Sequence, residues 1–230
     1  TLRYNFSKKI DITANLNFQQ SFFKFNDFST NIFLINPSLF LNIKKTGFGN
    51  FSLSYSENNT LPEVNQLTSN FQLTDYRNFS QGTTYNKPLK NQTTTLNYYI
   101  YNDEKRFSIN TSVYYVNSKS IFNTISNLTN DFNFNSYIQT KGSNSYNFNF
   151  SFVNYVRKLK LASKIETNNS WITSPINVNS TEFLNAKSYS NSIKYSCTTY
   201  FKSKINFDFG FSYNYFQSNF QGIKTNNTTK

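Results

Sequence analysis

The chain has 230 residues, with 26 Phe and 17 Tyr but only 37% hydrophobic residues, a single Trp and no His. No apolar run is long enough for a membrane-spanning helix, and His-based catalysis and His metal ligation are excluded outright. Its formal net charge is +12, which raises nucleic-acid binding as a possibility. The basic residues gather instead in pairs at turns: Lys8 and Lys9, Lys44 and Lys45, Lys105 and Arg106, Arg157 with Lys158 and Lys160, Lys202 and Lys204. They are not interleaved with aromatics on one surface, so no nucleic-acid partner is expected. Basic residues at strand ends suit a membrane interface, and they also blunt exposed sheet edges.

The elements follow a period of two. Leu2, Tyr4 and Phe6 form a first strand, residues 8–11 a turn, and Ile12, Ala14, Leu16 and Phe18 the return. A medium loop is expected at 26–36. Leu39, Leu41 and Ile43 then lead through a turn at 46–50, containing Gly47 and Gly49, to Phe51, Leu53 and Tyr55. A long irregular loop is expected at 58–92. Leu96, Tyr98 and Ile100 turn at 102–106 and return on Phe107, Ile109, Val113 and Tyr115.

A second long loop, 118–143, is rich in Asn, Ser and Thr. Tyr146, Phe148, Phe150 and Phe152 lead to a turn at 157–158, and Leu159, Leu161 and Ile165 lead back. The loop expected at 168–185 contains Trp171 and Pro175. Tyr189, Ile193 and Tyr195 turn at 202–204 and return along 205–215, where Ile205, Phe207, Phe209, Phe211, Tyr213 and Tyr215 share one face. Residues 217–230 read as another polar loop. Cys197 has no partner for an internal disulfide and is placed within a strand, against lipid or neighbouring side chains.

Alternating strands, short turns on one side and long loops on the other predict an all-β fold. The expected architecture is an antiparallel transmembrane β-barrel with about ten strands here, apolar side to lipid and polar side to water. Soluble propellers and sandwiches share the period but rarely this alternation of connection lengths. Residues 1–230 read as one outer-membrane barrel segment. The start inside a strand and the loop-like end Asn226-Asn227-Thr228-Thr229-Lys230 suggest a piece of a larger barrel. The expected surroundings are outer-membrane lipid and lipopolysaccharide.

Leu53-Ser54-Tyr55-Ser56-Glu57-Asn58-Asn59-Thr60-Leu61-Pro62-Glu63-Val64-Asn65-Gln66-Leu67 resembles the late barrel of TonB-dependent receptors of Gram-negative Bacteroidota and the related outer-membrane β-barrel family. There a strand ending in S-Y-S is followed by a polar stretch, a Pro and Gln-Leu. Tyr85-Asn86-Lys87-Pro88-Leu89-Lys90 stands where such receptors carry G-N-P-x-L-K-P-E, but lacks the Gly and the final Pro-Glu. The resemblance implies a complete barrel of 22 strands with a plug that lies outside this sequence. It also implies uptake of a scarce ligand, energised by TonB acting on the plug.

Three functions are therefore carried forward. The first is a ligand-uptake receptor whose loop residues Tyr76, Arg77, Phe79, Tyr85, Phe122 and Trp171, all but Arg77 aromatic, form the candidate ligand site; aromatics on polar loops suit sugars, peptides or chelates. The second is a structural barrel subunit of a secretion or assembly complex, with lipoprotein or other subunits as partners. The third is a passive pore. No catalytic constellation, metal site or cofactor is expected, since the 11 Asp and Glu are scattered.

Overall fold

A computed structural model describes the chain except for residues 8, 26–27, 47–48, 84–86, 130, 178–182, 202–204, 221–222 and 230. Eleven strands form one sheet: β1 (Leu2–Ser7), β2 (Ile10–Phe25), β3 (Phe28–Thr46), β4 (Gly49–Thr60), β7 (Leu89–Asn102), β8 (Phe107–Ser118), β11 (Asn144–Val156), β12 (Leu161–Ile176), β13 (Leu184–Thr199), β14 (Asp208–Phe220) and β15 (Ile223–Thr229). Every neighbouring pair is antiparallel and consecutive in this order. A second, four-stranded sheet takes β5 (Gln72–Asp75), β6 (Asn78–Gln81), β9 (Ser120–Leu128) and β10 (Asn133–Lys141), in the order β5-β6-β10-β9. Among the described residues the one helix is the short α1 (Val64–Leu67). No helix among the described residues is long and apolar enough to cross a membrane.

The all-β, antiparallel expectation holds. The large sheet is open: β1 pairs only with β2 and β15 only with β14, so it is not closed into a barrel. It has one strand more than the ten expected.

Period-two alternation fixes the register, because a slip of one residue would exchange the two faces. One row of facing residues runs Tyr4, Ile12, Leu41, Leu53, Leu96, Val113, Phe148, Asn169, Asn191, Tyr215 and Thr228, across all eleven strands. The next row runs Ile10, Ile43, Phe51, Tyr98, Thr111, Phe150, Thr167, Ile193 and Tyr213. Below it lies Ile100, Ile109, Phe152, Ile165, Tyr195 and Phe211. The opposite face carries Asp11, Asn42, Ser52, Asn97, Ser112, Asn149, Asn168, Ser192 and Asn214 in a single row.

The apolar face is uncovered. Tyr146 is 51% exposed, Ile165 41% and Phe211 62%, and among the described residues only Leu34 and Cys197 are buried hydrophobics. At about 4.8 Å per strand and 3.3 Å per residue, the rows span about 50 Å at their widest and about 20 Å in height. The Ile100 row covers six strands, and Thr111, Thr167, Asn169 and Asn191 interrupt the longer rows, which leaves an apolar area of roughly several hundred Å². Contiguous exposed apolar patches on soluble monomers stay within a few hundred Å².

Several expected loops are strands. The loop placed at 26–36 is almost wholly β3, whose hairpin with β2 runs out to Phe25 and Phe28. Phe18 and Phe33 stack across that hairpin at 5.7 Å. The 168–185 loop is largely β12 and β13, and the tail 217–230 contains the end of β14 and all of β15. Asn- and Ser-rich sequence was read as loop, but a strand with one face in water needs only polar residues at alternate positions. The expected turn at 202–204 lies outside the described residues.

Candidate functional site

The two long connections, β4 to β7 and β8 to β11, leave the same end of the large sheet. They do not stay irregular, as expected. Each contributes a hairpin, and β6 pairs with β10 in parallel, Asn78 facing Asn133 and Ser80 facing Asn135. The chain enters through α1, where the Glu63 N–H donates to Gln66 Oε1 at 3.0 Å in a capping box.

Asp75 shapes the tip between β5 and β6. Its carboxylate accepts the Arg77 N–H at 3.1 Å and the Asn78 side-chain amide at 2.6 Å. The backbone N–H of Arg77, first, and the Asn78 amide hold the Asp75 carboxyl below its ordinary value. Tyr76 protrudes from this tip, 83% exposed, with the Arg77 guanidinium over its ring at 5.4 Å.

Phe79 behaves differently. It stacks on Phe134 at 5.2 Å and meets Phe132 edge-on at 5.6 Å, while Phe71 meets Phe134 at 5.8 Å. These rings bind the two loops to each other. Phe122 pairs with Gln139, five positions along β10 from Phe134, so register places it on the opposite face from Phe79. Tyr85 lies outside the described residues.

Trp171 is not a loop residue. It sits within β12, between Tyr146 and Tyr189 in a row that also holds Tyr55 and Tyr115. Trp171 stacks on Tyr189 at 5.2 Å and Tyr115 on Tyr146 at 4.6 Å. The row borders the apolar face on its loop-ward side.

The structure therefore brings together Tyr76 and Arg77, and packs Phe79 behind them, but joins neither to Phe122 or Trp171. The contributors Phe71, Phe132 and Phe134 were missed. Their signal is the alternation Phe132-Asn133-Phe134-Asn135, a strand pattern inside the expected loop 118–143.

Charge separates by face as well. Asp11 and Lys44 pair at 2.6 Å, and Lys164 and Glu166 at 2.8 Å, all on the polar face. Between the Ile100 row and the Tyr55 row, no charged side chain lies on the apolar face among the described residues. One row beyond the aromatics, Glu57 pairs with Lys90 and accepts the Gln92 amide at 3.0 Å. Two depressions of about 270 and 280 Å³ open on the polar face, lined chiefly by Asn147, Asn149, Asn168, Ser190, Ser192 and Asn214 in the first, and by Asn110, Ser112 and Glu166 in the second. Asn149 donates to Ser112 Oγ at 3.2 Å and Asn97 to Ser52 Oγ at 3.4 Å.

Among the described residues no group of three or more Cys, Asp or Glu side chains could hold a metal ion. No protein-family model matches this chain, and no curated protein matches it.

Proposed function

We propose that this chain is wall and outer loops of an outer-membrane β-barrel that receives a ligand at its loop end, in the manner of a TonB-dependent receptor. The observation that carries the membrane reading is the uncharged, exposed apolar face. In water it would be an aggregation surface of unusual size; in a bilayer it is the required lipid-facing belt, with height close to the about 25 Å of known barrels. The aromatic row through Trp171 fits the interfacial girdle, and the Asn/Ser face fits a wet lumen.

An open sheet edge cannot face lipid, because its backbone groups would find no partners. The free edges of β1 and β15 therefore require either each other or further strands. The second answer accords with a larger barrel that holds a plug. Energy from TonB would reach such a plug, and the loop sheet would present Tyr76 and Arg77 to the ligand.

A passive pore is the competing reading, favoured by the lightly charged Asn/Ser row along the polar face. Planar-bilayer conductance separates the two. Native protein extracted from outer membranes is expected to show little conductance and to open when a plug is removed. Steady conductance of the native protein would discard the plugged receptor.

A further inference from the structure

The loop sheet meets the rim of the large sheet at a cavity of about 450 Å³, and its lining includes Lys87, Lys119, Lys141, Ser120, Gln139 and Thr140. That volume lies within the range of small-ligand sites. Among the described residues no carboxylate lines it. The contrast with neighbouring Lys90, paired with Glu57, is direct: Lys119 and Lys141 form no ion pair among the described residues.

The backbone builds this arrangement. The Lys119 N–H donates to the Lys90 carbonyl at 2.8 Å, and the Gly142 N–H donates to the Lys119 carbonyl at 3.1 Å. A Cβ on Gly142 would coincide with the Ser118 carbonyl, so only glycine lets the end of β10 cross here, with Lys141 beside Lys119. Gln139 bridges from the other side, its amide donating to the Lys87 carbonyl at 3.4 Å. Its Oε1 is buried with no hydrogen-bond partner. A buried acceptor without a donor is costly, and a turn of the Gln139 side chain that brings it into the cavity would let a ligand hydroxyl satisfy it.

We infer that this cavity binds a phosphorylated sugar: the phosphate meets the ammonium groups of Lys119, Lys141 and Lys87, and a sugar hydroxyl donates to Gln139 Oε1. Charge-assisted contacts to phosphate supply affinity, and the lone acceptor supplies selectivity for a hydroxyl-bearing anion over a bare one. Two sources share this chemistry: the phosphorylated glucosamine of lipopolysaccharide, and a free sugar phosphate in the medium. The inference rests on the loop sheet being the ligand side of a surface receptor, but binding is read without transport.

The test uses the full chain in phosphatidylcholine nanodiscs, titrated calorimetrically with glucose 1-phosphate, inorganic phosphate and glucose. Glucose 1-phosphate is expected to bind more tightly than inorganic phosphate, and glucose not at all. The K119Q/K141Q pair should weaken glucose 1-phosphate at least tenfold, and Q139L should abolish its advantage over inorganic phosphate. Should the double variant misfold, K141Q alone and the salt dependence of wild-type binding decide the matter. Flotation with vesicles containing lipid A or its dephosphorylated form assigns the source, since preference for phosphorylated vesicles over the free sugar phosphate marks the membrane saccharide. No binding in either arm, or binding untouched by the lysine substitutions in a folded protein, overturns the inference. Binding without uptake leaves it standing and removes only the transport reading; uptake of a neutral ligand with no phosphate binding does the reverse.

Discussion

Trp171 on β12 and Tyr189 on β13 face each other in register and stack with ring centroids 5.2 Å apart. The pair lies where the apolar rows give way to polar ones, with Thr173 and Lys187 two residues further along. Amphipathic rings prefer that level of a bilayer, one end apolar and the other wet. Trp171 is the one tryptophan of the chain, so its fluorescence reports a single depth. In vesicles, lipids brominated near the glycerol end of the acyl chain are expected to quench it more strongly than lipids brominated near the methyl terminus. The reverse order, or no quenching, would place the aromatic row elsewhere.

Adjacent residues on β13 test which face meets lipid. Ile193 belongs to a central apolar row and Ser192 to the Asn/Ser row behind it. A lysine at the mid-plane of a lipid-facing strand costs about 2–4 kcal/mol, whereas lumen positions tolerate charge. Ile193→Lys should therefore lower unfolding stability in lipid by about 2–4 kcal/mol, and Ser192→Lys by under about 1 kcal/mol. Urea titrations of the two variants in the same vesicles check this, and equal losses would mean that neither face is in lipid.

The large sheet was legible because side-chain alternation has the same period as the strand itself. Ile205 to Tyr215 reads as a strand from the sequence alone, although regular pairing begins only at Asp208. The loop sheet was not legible. Leu73, Phe79 and Phe134 alternate over only four to nine residues, and the parallel pairing of β6 with β10 joins segments 55 positions apart, Asn78 with Asn133. No local pattern encodes such a pairing. Trp171 shows the opposite failure: Thr, Asn and Ser around it suggest loop, yet Asn168 and Ser170 lie on the polar face, Thr173 at the rim, and Thr167 and Asn169 within the rows of the apolar face. Of the candidate site residues, Tyr76 and Arg77 stand exposed at the loop tip, whereas Phe79 is packed against Phe134 and Trp171 lies within a strand.

That distinction separates two alanine substitutions. Phe79 holds β6 to β10 through Phe134 and Phe132, while Tyr76 touches little beyond Arg77. Phe79→Ala should cost roughly 1–3 kcal/mol of local stability, less than a fully buried phenylalanine. It should also admit protease between residues 68 and 83. Tyr76→Ala should leave proteolysis unchanged and affect only ligand binding. Limited proteolysis of intact cells, read by mass spectrometry, measures both; equal susceptibility would show that the ring cluster does not join the loops.

The tip at Asp75 carries a pH dependence of defined sign. Its carboxyl is held below the ordinary value of 3.8 by the Arg77 N–H and the Asn78 amide. A depressed folded pKa means that the ionised form favours the closed turn. The contribution is complete above the unfolded value and is lost as pH falls through the folded one. The turn should therefore be unchanged between about pH 7 and pH 5, and should loosen only below about 4, near the ordinary carboxylate range. Amide chemical shifts of Arg77 and Asn78, followed by NMR in detergent micelles, should stay flat and then move together at acid pH. In Asp75→Asn that acid-side transition should vanish, because the remaining amide has no proton to gain in this range. A transition that persists in the variant would belong to another group, and the carboxylate would then not be what closes the tip.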